Sequence, residues 1–184
     1  MTSNFFNTIT EYRQDDKSLP PVEKWTPAFC GEINILIKAN GDWLHEGSVI
    51  SRKKLSILLS RVLIKQNSEY FLITPTEKMA ITVEWQPFVI VDFEVYQESG
   101  VDYYLMTDNC NNKIALNQAQ QLDFSTYQDL SLPIINVRRN LFASFSRSCY
   151  YRLIDQANLV KSGKEELLQI KSAGIDFTLG TTTD

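Results

Sequence analysis

The sequence contains a single histidine and three cysteines in 184 residues, and no apolar run approaches the roughly 18 residues of a membrane span. With only His45 available, a multi-histidine metal site is excluded, because a metal needs three or four converging ligands. Cys30, Cys110 and Cys149 show neither disulfide-framework nor metal-ligand spacing, and an odd cysteine count suits a reducing compartment. The first twenty residues lack an apolar stretch of signal length, so a cytoplasmic location is expected. The glycines form no phosphate-cradling loop and no nucleophile elbow, so no cofactor is expected. Excess positive charge is missing too. At net −4 the chain lacks the basic footprint of a general DNA or RNA binder, although a local basic pocket for a small anion remains open.

An apolar content of 43 % is enough for a real core. The chain is organised around Ile33 to Ile73. Ile33, Ile35 and Ile37 alternate with other residues, as on a strand with one buried face. Asn40-Gly41 is suited to the two left-handed positions of a tight hairpin. The chain returns through Trp43 and Leu44 to Ile50. Apolar residues then fall at Leu55, Leu58, Leu59, Val62 and Leu63, the stripe of a half-buried helix, with Ser51 placed to cap it and Asn67-Ser68 to end it. Tyr70 to Ile73 reads as a strand. A looser copy follows from Ile134 to Ile170: strand Ile134–Arg138, a turn at Asn140, return Phe142–Phe145, cap Ser146, helix through Leu153-Ile154 and strand Leu167–Ile170. Duplication is favoured over chance because the serine and arginine recur at matching places.

The rest supplies mainly strands. Phe5, Phe6, Ile9 and Tyr12 give residues 1–18 one apolar helical face, and Leu19-Pro20-Pro21-Val22 forms a stiff connector. Thr74 to Lys78 makes a turn. Ile81, Val83 and Trp85 alternate. Phe88–Val91 is continuously apolar, and Phe93 and Val95 then alternate with Asp92 and Glu94. Residues 103–106 and 113–116 read as strands joined by a turn over 108–112, and residues 122–124 as a short one. Residues 180–184 are polar enough to stay loose. The fold class is therefore α+β, strand-dominated and mostly antiparallel, with two similar strand-turn-strand-helix-strand units. The division is expected near Lys78: an extension 1–18, a first unit 19–78, a second unit 79–179 and a tail 180–184.

Catalytic constellations are thin. His45-Glu46 reads as a polar pair, Asp92 and Glu94 as the solvated side of a strand, and Asp108–Asn112 fails as a calcium loop because Lys113 stands where glycine is needed. Arg52, Lys53 and Lys54 break a local rule, since cations in the first turn of a helix oppose its dipole. Arg147 stands in the matching place of the copy. Outward N–H groups beside guanidinium groups suit a phosphate or carboxylate.

Pro20-Pro21-Val22 with Trp25 and Pro27, Phe29-Cys30-Gly31-Glu32-Ile33, Asn40-Gly41-Asp42-Trp43, Glu46-Gly47 and Thr74-Pro75-Thr76-Glu77-Lys78 together resemble a bacterial domain-of-unknown-function family of about this length. Val83-Glu84, Pro87-Phe88, Val137-Arg138, Arg147 and Tyr151 extend the match, while Trp85-Gln86 and Leu141-Phe142 depart from the family pattern. The resemblance implies a duplicated α+β core, a C-terminal half like a pleckstrin-homology roll or barrel, a site between the halves for a nucleotide-like molecule, and a signalling role. The reading that follows is a non-catalytic signalling module. Arg52, Lys78, Arg138 and Arg147 would neutralise the anion, Thr74 would donate a hydrogen bond, Trp43 would stack, and Glu77 would either line the site or pair with Arg52. The competing reading is a protein-interaction or scaffolding module without a small ligand. A hydrolase using His45 with Glu46 or Cys30 has the least support.

Overall fold

The computed structural model describes residues 19–118, 122–163 and 165–182, and the chain forms two compact units that meet in sequence between Pro87 and Phe88. The division lies beyond the expected Lys78 because Lys78–Val83 is itself a strand of the first sheet. The helix expected within residues 1–18 falls outside the described residues. Among the described residues strands dominate, there are two α-helices, and the two six-stranded sheets are mostly antiparallel. One sheet curls into a half-barrel, and the halves are similar.

After a 3₁₀ turn at Val22–Lys24, the first unit contains β1 (Phe29–Ile37), β2 (Trp43–His45), β3 (Ser48–Val49), α1 (Lys53–Arg61), β4 (Leu63–Gln66), β5 (Glu69–Ile73) and β6 (Lys78–Val83). The sheet order is β3-β2-β1-β6-β5-β4, with β1 and β6 parallel at the centre. Ile33, Ile35 and Ile37 are buried as their alternation requires. The β1–β2 connection differs from the expected two-residue turn. Gly41 N donates to Lys38 O, only Gly41 (φ 90°) is left-handed, and the Asn40 side chain accepts from Asp42 N at 3.0 Å. The tight left-handed pair instead falls at Glu46-Gly47 (φ 50° and 74°), which joins β2 to β3.

Helix α1 is shorter than its apolar stripe. Leu58 and Leu59 are buried on it, but the helix stops at Arg61 and Leu63 opens β4. Asn67 (φ 56°) and Ser68 form the β4–β5 hairpin turn rather than a helix end, and Leu63 pairs with Leu72. Ladder pairing has overridden the helical period.

The second unit contains β7 (Phe88–Glu98), β8 (Val101–Asp108), β9 (Lys113–Ala115), β10 (Leu122–Tyr127), β11 (Leu130–Arg138), β12 (Leu141–Phe145), α2 (Arg147–Ile154), β13 (Asn158–Ser162), β14 (Glu165–Ser172) and β15 (Ile175–Thr182). Its large sheet has the order β10-β11-β12-β7-β8-β9, with β7 and β12 parallel at the centre, and β13-β14-β15 form a separate sheet. β10 and β11 are joined by Gln128-Asp129, both left-handed, in a stretch whose polarity hides a hairpin. At the β11–β12 turn Arg139 (φ 51°), not Asn140, is left-handed.

Phe88, Val89, Ile90 and Phe93 are buried, but Val91 is exposed, because the β7–β8 ladder shifts register between Ile90 and Asp92. Residues 180–182, expected to be loose, complete β15 by pairing with Glu166–Leu168, since backbone bonds need no apolar side chain. Tyr150 donates its hydroxyl to Leu179 O at 3.0 Å, and a Cβ at Gly180 would lie 3.1 Å from that hydroxyl. Ser172 Oγ donates to Leu116 O (2.6 Å) and accepts from Tyr104 N (3.0 Å), tying the small sheet to β8.

Candidate functional site

The two helix starts differ in construction. Ser146 is the N-cap of α2, with extended backbone angles, and its Oγ accepts from Cys149 N at 3.3 Å. The N-cap of α1 is Arg52, one residue after Ser51, and no side chain caps it. The expected Ser51 cap is therefore absent, since its hydroxyl sits one position too early to reach the first turn. Neither helix has an acidic residue in its first turn.

Arg52, Lys53 and Lys54 are exposed, and Arg52 has no ion pair or hydrogen bond among the described residues, so the alternative Arg52–Glu77 pair is not formed. Arg147 is also exposed. Among the described residues it reaches only Tyr151, donating to the hydroxyl at 3.4 Å with its guanidinium 5.6 Å from the ring centre.

The remaining expected residues lie in more committed surroundings. Trp43 is 2 % exposed, so it belongs to the core and offers no stacking face to solvent. Thr74 is fully buried. Its hydroxyl accepts from Glu77 N (3.0 Å) and lies 3.3 Å from Glu77 O, which makes it the organiser of the turn rather than a ligand donor. Lys78 Nζ donates to Gln66 Oε1 and stands 4.1 Å from the centre of the Phe71 ring. Glu77 is half-buried, and its Oε2 is shut off from solvent without a hydrogen-bond partner. Arg138 is half-buried, donates to Asn112 Oδ1 at 3.0 Å and lies over the Phe88 ring at 4.8 Å. Thr74, Glu77 and Lys78 share one turn of the first unit, while Arg138 and Arg147 belong to the second.

Asp108 carries the turn that Arg138 braces. Its carboxylate accepts from Cys110 N (2.8 Å), Asn112 N (2.8 Å) and Asn112 Nδ2 (2.6 Å). Burial still pushes its pKa up, against the opposing pull of those bonds and of the Arg138 charge. Asp92 and Glu94, a possible carboxylate pair, are separately engaged. Arg152 binds Asp92 at 2.8 Å and holds its pKa below the usual range, and Lys113 lies 3.4 Å from Glu94. Burial drives the Cys149 thiol up to about 11, far from a reactive thiolate. Among the described residues no group of three or more His, Cys, Asp or Glu is placed to hold a metal ion, and no helix is long and apolar enough to cross a membrane.

A cleft of about 280 Å³ also opens on the first sheet, lined by residues of β1, β5 and β6 with Ser68. It escaped the sequence because its walls are drawn from segments far apart in the chain.

Comparison with known proteins places this architecture. No curated protein matches. A DUF1285 family protein from Silicibacter pomeroyi is similar in structure, at 28 % identity and a TM-score of 0.78 over 90 % of each chain. A DUF1285 family protein from Shewanella baltica shares 28 % identity at a TM-score of 0.53, covering 67 % of this chain and 92 % of that one. The model of the DUF1285 N-terminal domain, a domain of unknown function, matches residues 20–86, and that of the C-terminal domain matches 87–179, so the chain belongs to the DUF1285 family.

Proposed function

We propose that the chain is a cytoplasmic, non-catalytic signalling module that binds a small anionic, nucleotide-like ligand at its arginine-bearing helix starts. The observation that carries this reading is the pair of exposed arginines, Arg52 and Arg147, one at each helix start and neither facing an acid in the first turn. An exposed cation there opposes the helix dipole by about 0.3–1 kcal/mol, a standing cost that a bound anion would relieve. Lysines 53 and 54 add charge at α1. Lys78 and Arg138, already engaged within their own units, act as supports.

A thermal-shift screen with nucleotides at millimolar concentration tests the reading. Binding to the folded state raises Tm by mass action, and Arg52→Ala and Arg147→Ala together should remove most of the rise. No rise with any nucleotide removes the proposal.

The second reading, a protein-interaction module, is favoured by β13. This edge strand is exposed throughout, with Leu159 at 61 % and Val160 at 41 %. Partner capture and elution behaviour indifferent to both arginine variants would favour it.

A further inference from the structure

We infer that Asn40 is a site of hydrolytic modification, and that the Asp42 carboxylate slows its conversion to aspartate and isoaspartate in the folded chain. The pair Asn40-Gly41 stands in the β1–β2 turn, where Asn40 and Asp42 are both exposed to water. Glycine has no side chain to keep its nitrogen away from the preceding amide carbon, so this pair is open to ring closure.

The step balances with water as the only co-reactant. The Gly41 backbone nitrogen bonds to Asn40 Cγ and gives up its proton. The Cγ–Nδ2 bond breaks, and the departing amide nitrogen takes that proton and leaves as ammonia. Water then opens the cyclic imide at either carbonyl, giving aspartate or an isoaspartate whose main chain runs through Cγ.

The contacts of the turn oppose the first bond. Asn40 Nδ2 donates to Asp42 Oδ2 at 2.8 Å and Asn40 Oδ1 accepts from Asp42 N at 3.0 Å, so both ends of the reacting amide are held. The attacking nitrogen is engaged as well. Gly41 N donates to Lys38 O at 2.9 Å, which favours its protonated form. A further carboxylate belongs to the same turn, for Glu84 Oε2 accepts from Ala39 N at 2.7 Å. Negative charge beside Gly41 disfavours the amide anion that must form.

The product removes its own restraint. An aspartate at position 40 has no amide to donate, so a second carboxylate would face Asp42 where a donor now stands. Isoaspartate lengthens the main chain between Lys38 and Asp42, whose Lys38 N–Asp42 O bond (2.9 Å) closes the turn. Ile37 and the buried Trp43 pair immediately beyond it, so the loss reaches the core edge.

Peptide mass spectrometry of the full chain, incubated at mildly alkaline pH either folded or in urea, tests the assignment. Asn40 should convert about tenfold faster in urea, the scale of one hydrogen bond to a charged group. In the folded chain Asp42→Ala should speed conversion several-fold. Asp42→Asn, which keeps an acceptor without the charge, should speed it less. Asn40→Asp, made directly, should lower the urea midpoint at neutral pH, and the gap to wild type should narrow in acid as carboxylates protonate. No conversion of Asn40 in urea, equal rates folded and unfolded, or a folded rate unchanged by both Asp42 variants would overturn the inference. An Asn40→Asp chain as stable as wild type at neutral pH would overturn it too.

Discussion

Numbered within each unit, the two large sheets have the same strand order: third, second, first, sixth, fifth, fourth. In both, the first and sixth strands pair in parallel at the centre. The helices do not follow that frame. In the first unit α1 lies between the third and fourth strands, and in the second α2 comes after the sixth. The sheets thus align Phe29–Val83 with Phe88–Phe145, whereas the serine-arginine helix starts align Arg52 with Arg147. Sheet order rests on hairpins and central closure, while a helix needs only a cap and an apolar stripe, so the two can repeat in different frames.

The largest break in that comparison should come from the helix cores. Leu59 on α1 and Leu153 on α2 are fully buried, and truncating either to alanine should cost about 2–5 kcal/mol, measured by urea unfolding. A cost below 1 kcal/mol at either would mean that the helix is held by something other than its stripe. The caps should separate the helices more finely. Ser146→Ala should cost about 1 kcal/mol and Ser51→Ala under about 0.5, because only Ser146 bonds a first-turn amide. Equal losses would erase the structural difference between the two starts.

A gain is expected at α1. Lys53→Glu places an acid in the first turn and should add about 0.3–1 kcal/mol in low salt while weakening nucleotide binding. Stability and binding moving together would contradict the account.

The smallest effect is a pH one. Arg152 depresses the Asp92 pKa in the folded state, so this contribution is present above the unfolded value and is lost as pH falls through the folded one. Asp92→Asn should therefore flatten the acid limb of the stability curve slightly, since both side chains are largely exposed. Asp108 has the opposite sign: burial raises its pKa, so its ionisation opposes folding as pH rises between the ordinary and raised values.

Local patterns made much of the fold legible. The Ile33-Ile35-Ile37 alternation, the Leu58-Leu59 stripe and the Ser146 cap each act over a few residues, and each stands where expected. Failures came where distant partners decided. Leu63 left the helical stripe to pair with Leu72, and Gly180 to Thr182 joined a strand through backbone bonds alone. Glu46-Gly47 and Gln128-Asp129 turn tightly without the Asn-Gly signal. Among the candidate residues, the exposure of Arg52 and Arg147 was legible from their places at the helix starts. The burial of Trp43 and the turn-building role of Thr74 were not, because one residue type serves a core or a pocket equally well.

The central claim of the proposed reading is that an exposed, arginine-bearing helix start binds a small anionic ligand. Backbone amide NMR of the full chain during titration with a nucleoside triphosphate tests it most directly. The account predicts saturable shifts at Lys53 and Lys54 that Arg52→Ala abolishes, and at Ser148 that Arg147→Ala abolishes. No shift at either helix start, or shifts that survive both arginine variants, would contradict it.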